Sequence, residues 1–349
     1  MRTRSAWFSV PFLVVLLFQL NCRSRPRIPV VEETTMAMGT FFTIAIYGDV
    51  DADSARRAIA AAFDTIRVIE SHTSATLPSS DIARLNRHSG KDFVTLWDDL
   101  TSMLRMATRV SKASGGAFDI TIGAETALWG FEDQPLRPPD SSAVDSCLKL
   151  VDYRGLVLDD HRARLLRPGM RLDLGGVAKG WAVDRVFDWL VARGYRDVMV
   201  DGGGDFHVAS TPLTAGQRHV WVRHPRARGS YFARFKLDNG AVATSGDYER
   251  FFIWKGVRYH HILNPATGWP ARQAVSVTVV GPSTALCDAW ATAVFVLGPE
   301  EGLRRIRQQE GLEALVVSAD STGLWWTATD SLARRLEVLD EKARYKKVN

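Results

Sequence analysis

The sequence is poor in several features that would classify it quickly. It holds three cysteines in 349 residues, Cys22, Cys147 and Cys287. They lie far apart and lack the spacing of a zinc site or a redox pair. A disulfide framework is excluded, and beyond Cys22 the expectation is two free, structural thiols. There is no internal repeat of short period and no low-complexity block. Charge of one sign is lacking too: Lys and Arg number 44 against 39 Asp and Glu, and with Arg2 and Arg4 of the leader set aside 42 basic face 39 acidic side chains. So slight a balance gives no ground for a nucleic-acid partner. Neither the P-loop order G-x-x-x-x-G-K-[ST] nor the dinucleotide fingerprint G-x-G-x-x-G occurs, and nothing resembles a nicotinamide site.

What is present begins with a leader. Arg2 and Arg4 precede a mostly apolar stretch from Ala6 to Leu20, and Asn21-Cys22 stands where processing would occur. Fifteen residues are short for a spanning helix, which needs about 20. Residues 1–21 are therefore expected to be an export signal, and a cysteine directly after such a core predicts a lipoprotein held at a membrane surface through acylated Cys22. Gln19 and Asn21 depart from the small or aliphatic residues usual there, so simple secretion and an uncleaved anchor stay open. Residues 22–35, with charge and two prolines, are expected to be a tether, with the folded body from Met36 to about residue 330 and a solvated helical tail over 331–349.

Within the body, TFFTIAIYG predicts a strand. The following DADSARRAIAAAFDTIRVIESH predicts a helix capped by Asp51 or Asp53, with Ile59, Phe63, Ile66 and Ile69 at helical spacing. Further helices are expected at 97–114, 177–194, 284–297 and 299–310. Valine-rich and aromatic strands are expected at 155–159, 197–201, 219–223, 231–237, 251–254, 257–263, 275–280 and 313–318. The fold class is α+β, with largely antiparallel sheet flanked by helices.

Four segments carry residues suited to chemistry. In LDLGGVAKG, from Leu172, two glycines lie between a strand end and a helix start, and Lys179 adds a mobile positive charge. The segment is either a phosphate cradle or a tight packing turn with a surface lysine. In ALCDAWATAVFVLG, from Ala285, Asp288 and Thr292 are four apart and share a helix face. They present hard oxygens of the kind magnesium takes, unless Asp288 merely caps the helix. VATSGDYERFF and RYHHILNPATG bring Asp247, Arg250, His260 and His261 around a tight turn. A histidine there can take a proton from an attacking hydroxyl and an arginine can brace phosphate oxygens, but adjacent histidines on a strand face opposite ways and only one can serve. SGGAFDITIG, from Ser114, sets Phe118 and Asp119 after two glycines, as either a heterocycle contact or an ordinary helix-ending turn. The DGGGDF run at Asp201 is equally open.

Taken in order, MGT at Met38, SGGAFD at Ser114, LDLGGVAKG at Leu172, DGGGD at Asp201, ATSGDYERF at Ala243, HILNPATG at His261 and CDAWATA at Cys287 resemble the ApbE family of FAD:protein FMN transferases. The resemblance runs from about Met36 to Gly298. It implies a T-fold-related architecture and a magnesium-bound FAD whose pyrophosphate is attacked by a threonine or serine of an acceptor protein, releasing AMP. On matching positions it implies magnesium on Asp288, Thr292 and the Gly176 carbonyl, and an FAD site lined by Met38, Ala117, Phe118, Asp119, Asp173, Lys179 and Ile262. His261 would be general base, with Arg250 beside the phosphates. Partners in such a family are extracytoplasmic subunits of membrane redox complexes. Three departures stand out: Thr76 where an aromatic residue is frequent, His260 for a common serine, and Asn264 with Ala266 in a turn usually DPRTG. The alternatives are an FAD pyrophosphatase using water and an exported lipoprotein that binds FAD without chemistry.

Overall fold

The computed structural model describes residues 29–131 and 137–348. The leader and Cys22 lie outside the described residues. The expected tether does not reach residue 35: Val31–Ala37 is a strand, paired antiparallel with Thr40–Ile46 from Val31 opposite Ile46 to Ala37 opposite Thr40. The cause is a period-two pattern in VEETTMA, where Glu32, Thr34 and Met36 face solvent and Val31 and Ala37 are buried. The folded body therefore begins at Val31. Met38 and Gly39 form the connecting turn, both with positive φ (51° and 72°), the two-residue geometry that matches strand twist in hairpins.

These strands open a nine-stranded sheet that continues through Val198–Gly202, Asp205–Ala209, Gly240–Gly246, Ser276–Gly281, Glu313–Asp320 and Gly323–Ala328 to Arg344–Tyr345. All its pairings are antiparallel except the last. The central strands are buried on both faces, and period two sorts their side chains. Ala241, Ala243, Val277, Val279, Ala314 and Val316 face the largest core under the helices. Val242, Val280, Leu315 and Val317 face a separate core closed by the small sheet of His219–Arg223 and Tyr231–Lys236. A third core joins the first two strands to the helix Ala52–Thr73, which carries Ile59, Phe63, Ile66 and Ile69 as its pattern predicts and is capped by the Asp51 side chain on Ser54 N–H.

Two helices matter most for function: Ala178–Ala192, the lysine helix, and Thr284–Leu297, the aspartate helix. They cross closely at Gly180, where a Cβ would stand 2.6 Å from the Thr284 carbonyl oxygen. Asp184 fastens the crossing, its carboxylate accepting from Thr284 N–H, Ala285 N–H and the Ser283 hydroxyl.

The helix 299–310 ends earlier than its sequence suggests, at Ile306, and the strand expected over 257–263 ends at His260. The C-terminal segment is not a solvated helix either. Helix is confined to Asp330–Arg335, after which Glu337–Val338 pairs with Arg234 and Ala233, and Arg344–Tyr345 pairs with Trp325 and Trp326. Its charges are matched rather than left to solvent, Glu337 by Arg234 and Arg344 and Lys346 by Asp320, while Leu332 is fully buried. Cys147 and Cys287 are free thiols, as expected. No helix among the described residues is long and apolar enough to cross a membrane.

Candidate active site

The loop before the lysine helix is shaped from both sides. Asn86 clamps Leu172, donating to its carbonyl (3.0 Å) and accepting from its N–H (2.7 Å). The Asp173 carboxylate then accepts from Gly175 N–H at 2.7 Å and curls the chain. This leaves Gly176 against Thr292 of the aspartate helix. A Cβ on Gly176 would lie 3.1 Å from Thr292 Oγ1 and 3.3 Å from the Phe118 ring, so glycine is what lets this backbone approach both. Thr292 Oγ1 also meets Ser245 Oγ at 3.3 Å.

One turn earlier on the same helix face, Asp288 is buried. It does not cap the helix: Ser283 does, its hydroxyl accepting from Leu286 N–H. Asp288 instead meets Lys179 Nζ at 3.4 Å, and Lys179 Nζ also meets Asp205 at 2.9 Å. Burial pushes the Asp288 carboxyl up to about 7 despite the opposing lysine charge, with Asp205 adding to the rise. Burial alone would lower Lys179, but the two carboxylates outweigh it and hold the ammonium charged. A carboxylate so placed is costly unless a cation compensates it fully.

This donor set suits a hard cation. Among the described residues no group of three or more His, Cys, Asp or Glu side chains could hold a metal. Magnesium asks for less, one or two carboxylates with the rest of its shell from neutral oxygens, water and substrate phosphate. Asp288, the Thr292 hydroxyl and the Gly176 backbone fit that requirement.

The two adjacent histidines separate where the strand ends at His260 and the chain bends at His261. His260 is buried against Phe295, with Nε2 donating to the Ala271 carbonyl (2.7 Å) and Nδ1 accepting from Ile262 N–H (3.3 Å). It is a neutral pin that sets the backbone of Ile262. His261 is half-buried, and its Nδ1 donates to the Arg250 carbonyl at 3.2 Å, which leaves Nε2 as the ring's proton acceptor. Burial, then Arg250, and more weakly His260 and Lys179, depress its pKa to about 3, so the free imidazole is neutral.

The remaining candidates fall into two groups. Ala117, Phe118 and Ile262 are buried in the same core as the aspartate helix, and Met38 packs at the border of that core and the first-strand core with its N–H held by Glu70 at 2.8 Å. Asp119 serves its own loop: one oxygen takes the N–H and hydroxyl of Thr121, the other takes Tyr153 N–H. Burial still raises its pKa. Arg250 is exposed. Thr76 lies on an exposed turn, where its hydroxyl and N–H both bond the Ser74 hydroxyl. In the same region His72 stacks on Trp97 at 4.7 Å, with Asp81 accepting from both residues.

Sequence reasoning missed Asp205 as the second anchor of Lys179, Ser245 as the partner of Thr292, and Asp184 as the clasp between the helices. Asp205 had a signal, since it closes the DGGGD run. Ser245 and Asp184 had none, because their roles depend on a strand and a helix meeting elements far away in the chain.

Residues 38–316 match the model of the ApbE family. The chain is 31% identical over 360 residues to the FAD:protein FMN transferase of Treponema pallidum, covering 98% of this chain and 99% of that protein. It is 30% identical to one from Klebsiella pneumoniae, covering 83% and 89%. Among solved structures it is similar to the ApbE protein of Thermotoga maritima, with a TM-score of 0.77 at 29% identity over 87% of this chain and 98% of that one. The flavin transferase ApbE of Vibrio cholerae superposes with a TM-score of 0.78 at 25% identity. On the match over residues 38–316 and the likeness to these relatives in sequence and fold, this chain belongs to the ApbE family.

Proposed function

We infer that the protein is an FAD:protein FMN transferase. It moves the FMN half of FAD onto a threonine or serine hydroxyl of an acceptor protein and releases AMP. The observation that carries this is the meeting of a buried carboxylate and hydroxyl on one helix face, Asp288 and Thr292, with Lys179 beside them and a neutral histidine, His261, whose free nitrogen is fixed by its tautomer.

In the proposed reaction the acceptor oxygen bonds to the phosphorus on the FMN side of the pyrophosphate, and the bond from that phosphorus to the bridging oxygen breaks, so AMP leaves with the electron pair. His261 Nε2 takes the hydroxyl proton. A pKa of about 3 makes His261 a weak base in the free protein. A bound dianionic pyrophosphate opposes the Arg250 and Lys179 charges and raises it toward the range where proton transfer is effective. Lys179, held charged by Asp205 and Asp288, and the Arg250 guanidinium stabilise charge on the phosphate oxygens. Magnesium, held by Asp288, Thr292 and the Gly176 carbonyl, supplies Lewis-acid neutralisation of the pyrophosphate when bound. Phe118, Ile262 and Met38 offer the apolar surface for the rings of FAD. Asp173 and Asp119 shape the two loops that present them.

A second reading, FAD pyrophosphatase activity with water as acceptor, is favoured by one observation: the Thr76 turn is exposed and brings no ring toward the site. Incubation with FAD and magnesium separates the two. AMP release only with a threonine-bearing acceptor supports transfer; release without one supports hydrolysis; no AMP in either case leaves a binding protein only. The leader and Cys22 support an exported lipoprotein facing the periplasm or cell exterior, acting on a subunit of a membrane redox complex. Cys22→Ser is expected to free the protein from membranes, and retained anchoring would refute lipidation.

A further inference from the structure

Phe251–Trp254 and Val257–His260 form a two-stranded sheet of their own; among the described residues neither strand pairs with any other. The root of this hairpin is fixed. Phe252 is buried with Trp129 and Leu263, and His260 is pinned to Ala271. The outer half is bare: Ile253, Trp254 and Val257 are 61%, 39% and 40% exposed. Unpaired edges with exposed apolar side chains are templates for another strand, and proteins that keep them generally use them.

Charge narrows what would bind. Lys255 stands at the turn, Arg258 lies over the Phe251 ring at 3.7 Å, and Arg272 lies over Tyr259 at 5.5 Å. Among the described residues the two acids just before the hairpin are already engaged, Asp247 by Arg226 and Glu249 by Arg223. The hairpin is thus apolar and cationic. Its second strand also ends at His260, one residue before His261, whose Nδ1 and N–H both bond the carbonyl of Arg250, the residue before the first strand. A chain laid along the hairpin is delivered to the proton acceptor of the site.

We propose that this hairpin is the docking edge for the acceptor protein, which adds an extended segment to it as an extra strand. Apolar residues of that segment cover Ile253 and Trp254, acidic residues sit near Lys255 and Arg258, and the target threonine or serine lies at the His261 end. Main-chain hydrogen bonds give the affinity and alternate side chains the specificity. The proposal rests on the transfer reading and specifies its partner: an extended, acidic and apolar segment. An anionic membrane surface would also suit an apolar, cationic tip, but it would not account for the placement of His261 directly after the second strand.

The test uses the protein with FAD and magnesium and two sets of short peptides. Each peptide has one central threonine and alternating Val, Ile or Phe, with aspartates in one set and lysines in the other. Hydrogen exchange over 251–260 reads docking, and the mass of each peptide reads FMN transfer. The expected result is protection of 251–260 and FMN addition with the acidic set alone. Ile253→Ser and Lys255→Glu should each raise the peptide KM about tenfold or more while FAD affinity stays unchanged, which also shows that the variants are folded. The proposal is overturned by FMN addition without protection, by equal protection with the lysine set, by no binding of either set, or by protection only with phosphatidylglycerol vesicles. Protection without FMN addition keeps the docking edge and overturns the transfer reading, so the two failures are distinct.

Discussion

The helix pair and the aromatic lobe beside it handle buried charge in opposite ways. Where the lysine and aspartate helices cross, each buried carboxylate has a partner: Asp288 and Asp205 share Lys179, and Asp184 caps the neighbouring helix while holding His207. In the lobe built from the helix Gly123–Trp129, the exposed hairpin and the NPATG turn, Glu125 is fully buried and neither of its oxygens has a hydrogen-bond partner among the described residues. Among the described residues the lobe's own hydrophobic cluster has three buried members, Trp129, Phe252 and Leu263. The lesson is that the site proper is positioned by matched charges on rigid elements, whereas the lobe that leads into it is thinly packed and carries an unmatched acid. Local opening concentrates in regions of the second kind.

The sharpest way to break this contrast is Asp288→Ala. If Asp288 holds the cation, magnesium-dependent AMP release falls to background, and activity retained at saturating magnesium would remove Asp288 from the metal site. Next is His261→Ala, expected to lower kcat by ~10²–10⁴ with little change in FAD affinity. An equal loss of FAD binding would recast His261 as a binding residue. Its depressed pKa also has a direction: the free enzyme keeps a neutral imidazole well below the ordinary histidine value of about 6.5. The acid limb of kcat/KM assigned to His261 should therefore lie below that value, and an acid limb above it that disappears in His261→Ala would contradict the burial argument.

Smaller effects test packing. Gly180→Ala forces a methyl against the Thr284 carbonyl, which is backbone and has no room to yield, and is expected to cost about 3 kcal/mol in thermal or urea unfolding. Glu125→Gln tests the lobe. Burial raises the Glu125 carboxyl to about 7 from 4.5, with Asp145 contributing. Between those values the unfolded chain has released its proton and the folded one has not. Stability is thus fully present below 4.5 and lost as pH rises toward 7. Glu125→Gln removes that loss and should stabilise the protein at pH 8 by roughly 2 kcal/mol, with no gain at pH 4. A variant less stable than the parent at both pH values would mean that Glu125 has a partner.

The regular parts of the fold were legible because periodicity reports burial directly. The helix from Ala52, the lysine helix and the aspartate helix carry apolar residues at helical spacing, and Ser276–Gly281 and Glu313–Asp320 are rich in valine, whereas Asp205–Ala209, Gly240–Gly246 and Gly323–Ala328 are too mixed in composition to announce themselves as strands. Segments set by tertiary pairing were not. VEETTMA reads as charged linker because half its residues face solvent on an edge strand, and the C-terminal segment reads as a solvated tail because its charges find partners in Arg234 and Asp320 only after folding. In the site, the helix-spaced pair Asp288 and Thr292 was visible from a four-residue interval. The Asp205 to Lys179 bridge joins a strand to a helix 26 residues earlier, and the DGGGD run that Asp205 closes does not name its partner.

The central claim is that the assembly around Asp288 and His261 moves FMN from FAD to a protein hydroxyl. The most direct measurement is the intact mass of a candidate acceptor subunit co-expressed with this chain, in parallel with its Asp288→Ala and His261→Ala variants. The account predicts a gain of one FMN on a threonine or serine with the parent chain and no gain with Asp288→Ala. An acceptor equally flavinylated in all three strains, or FMN and AMP accumulating free while every acceptor keeps its unmodified mass, would contradict it.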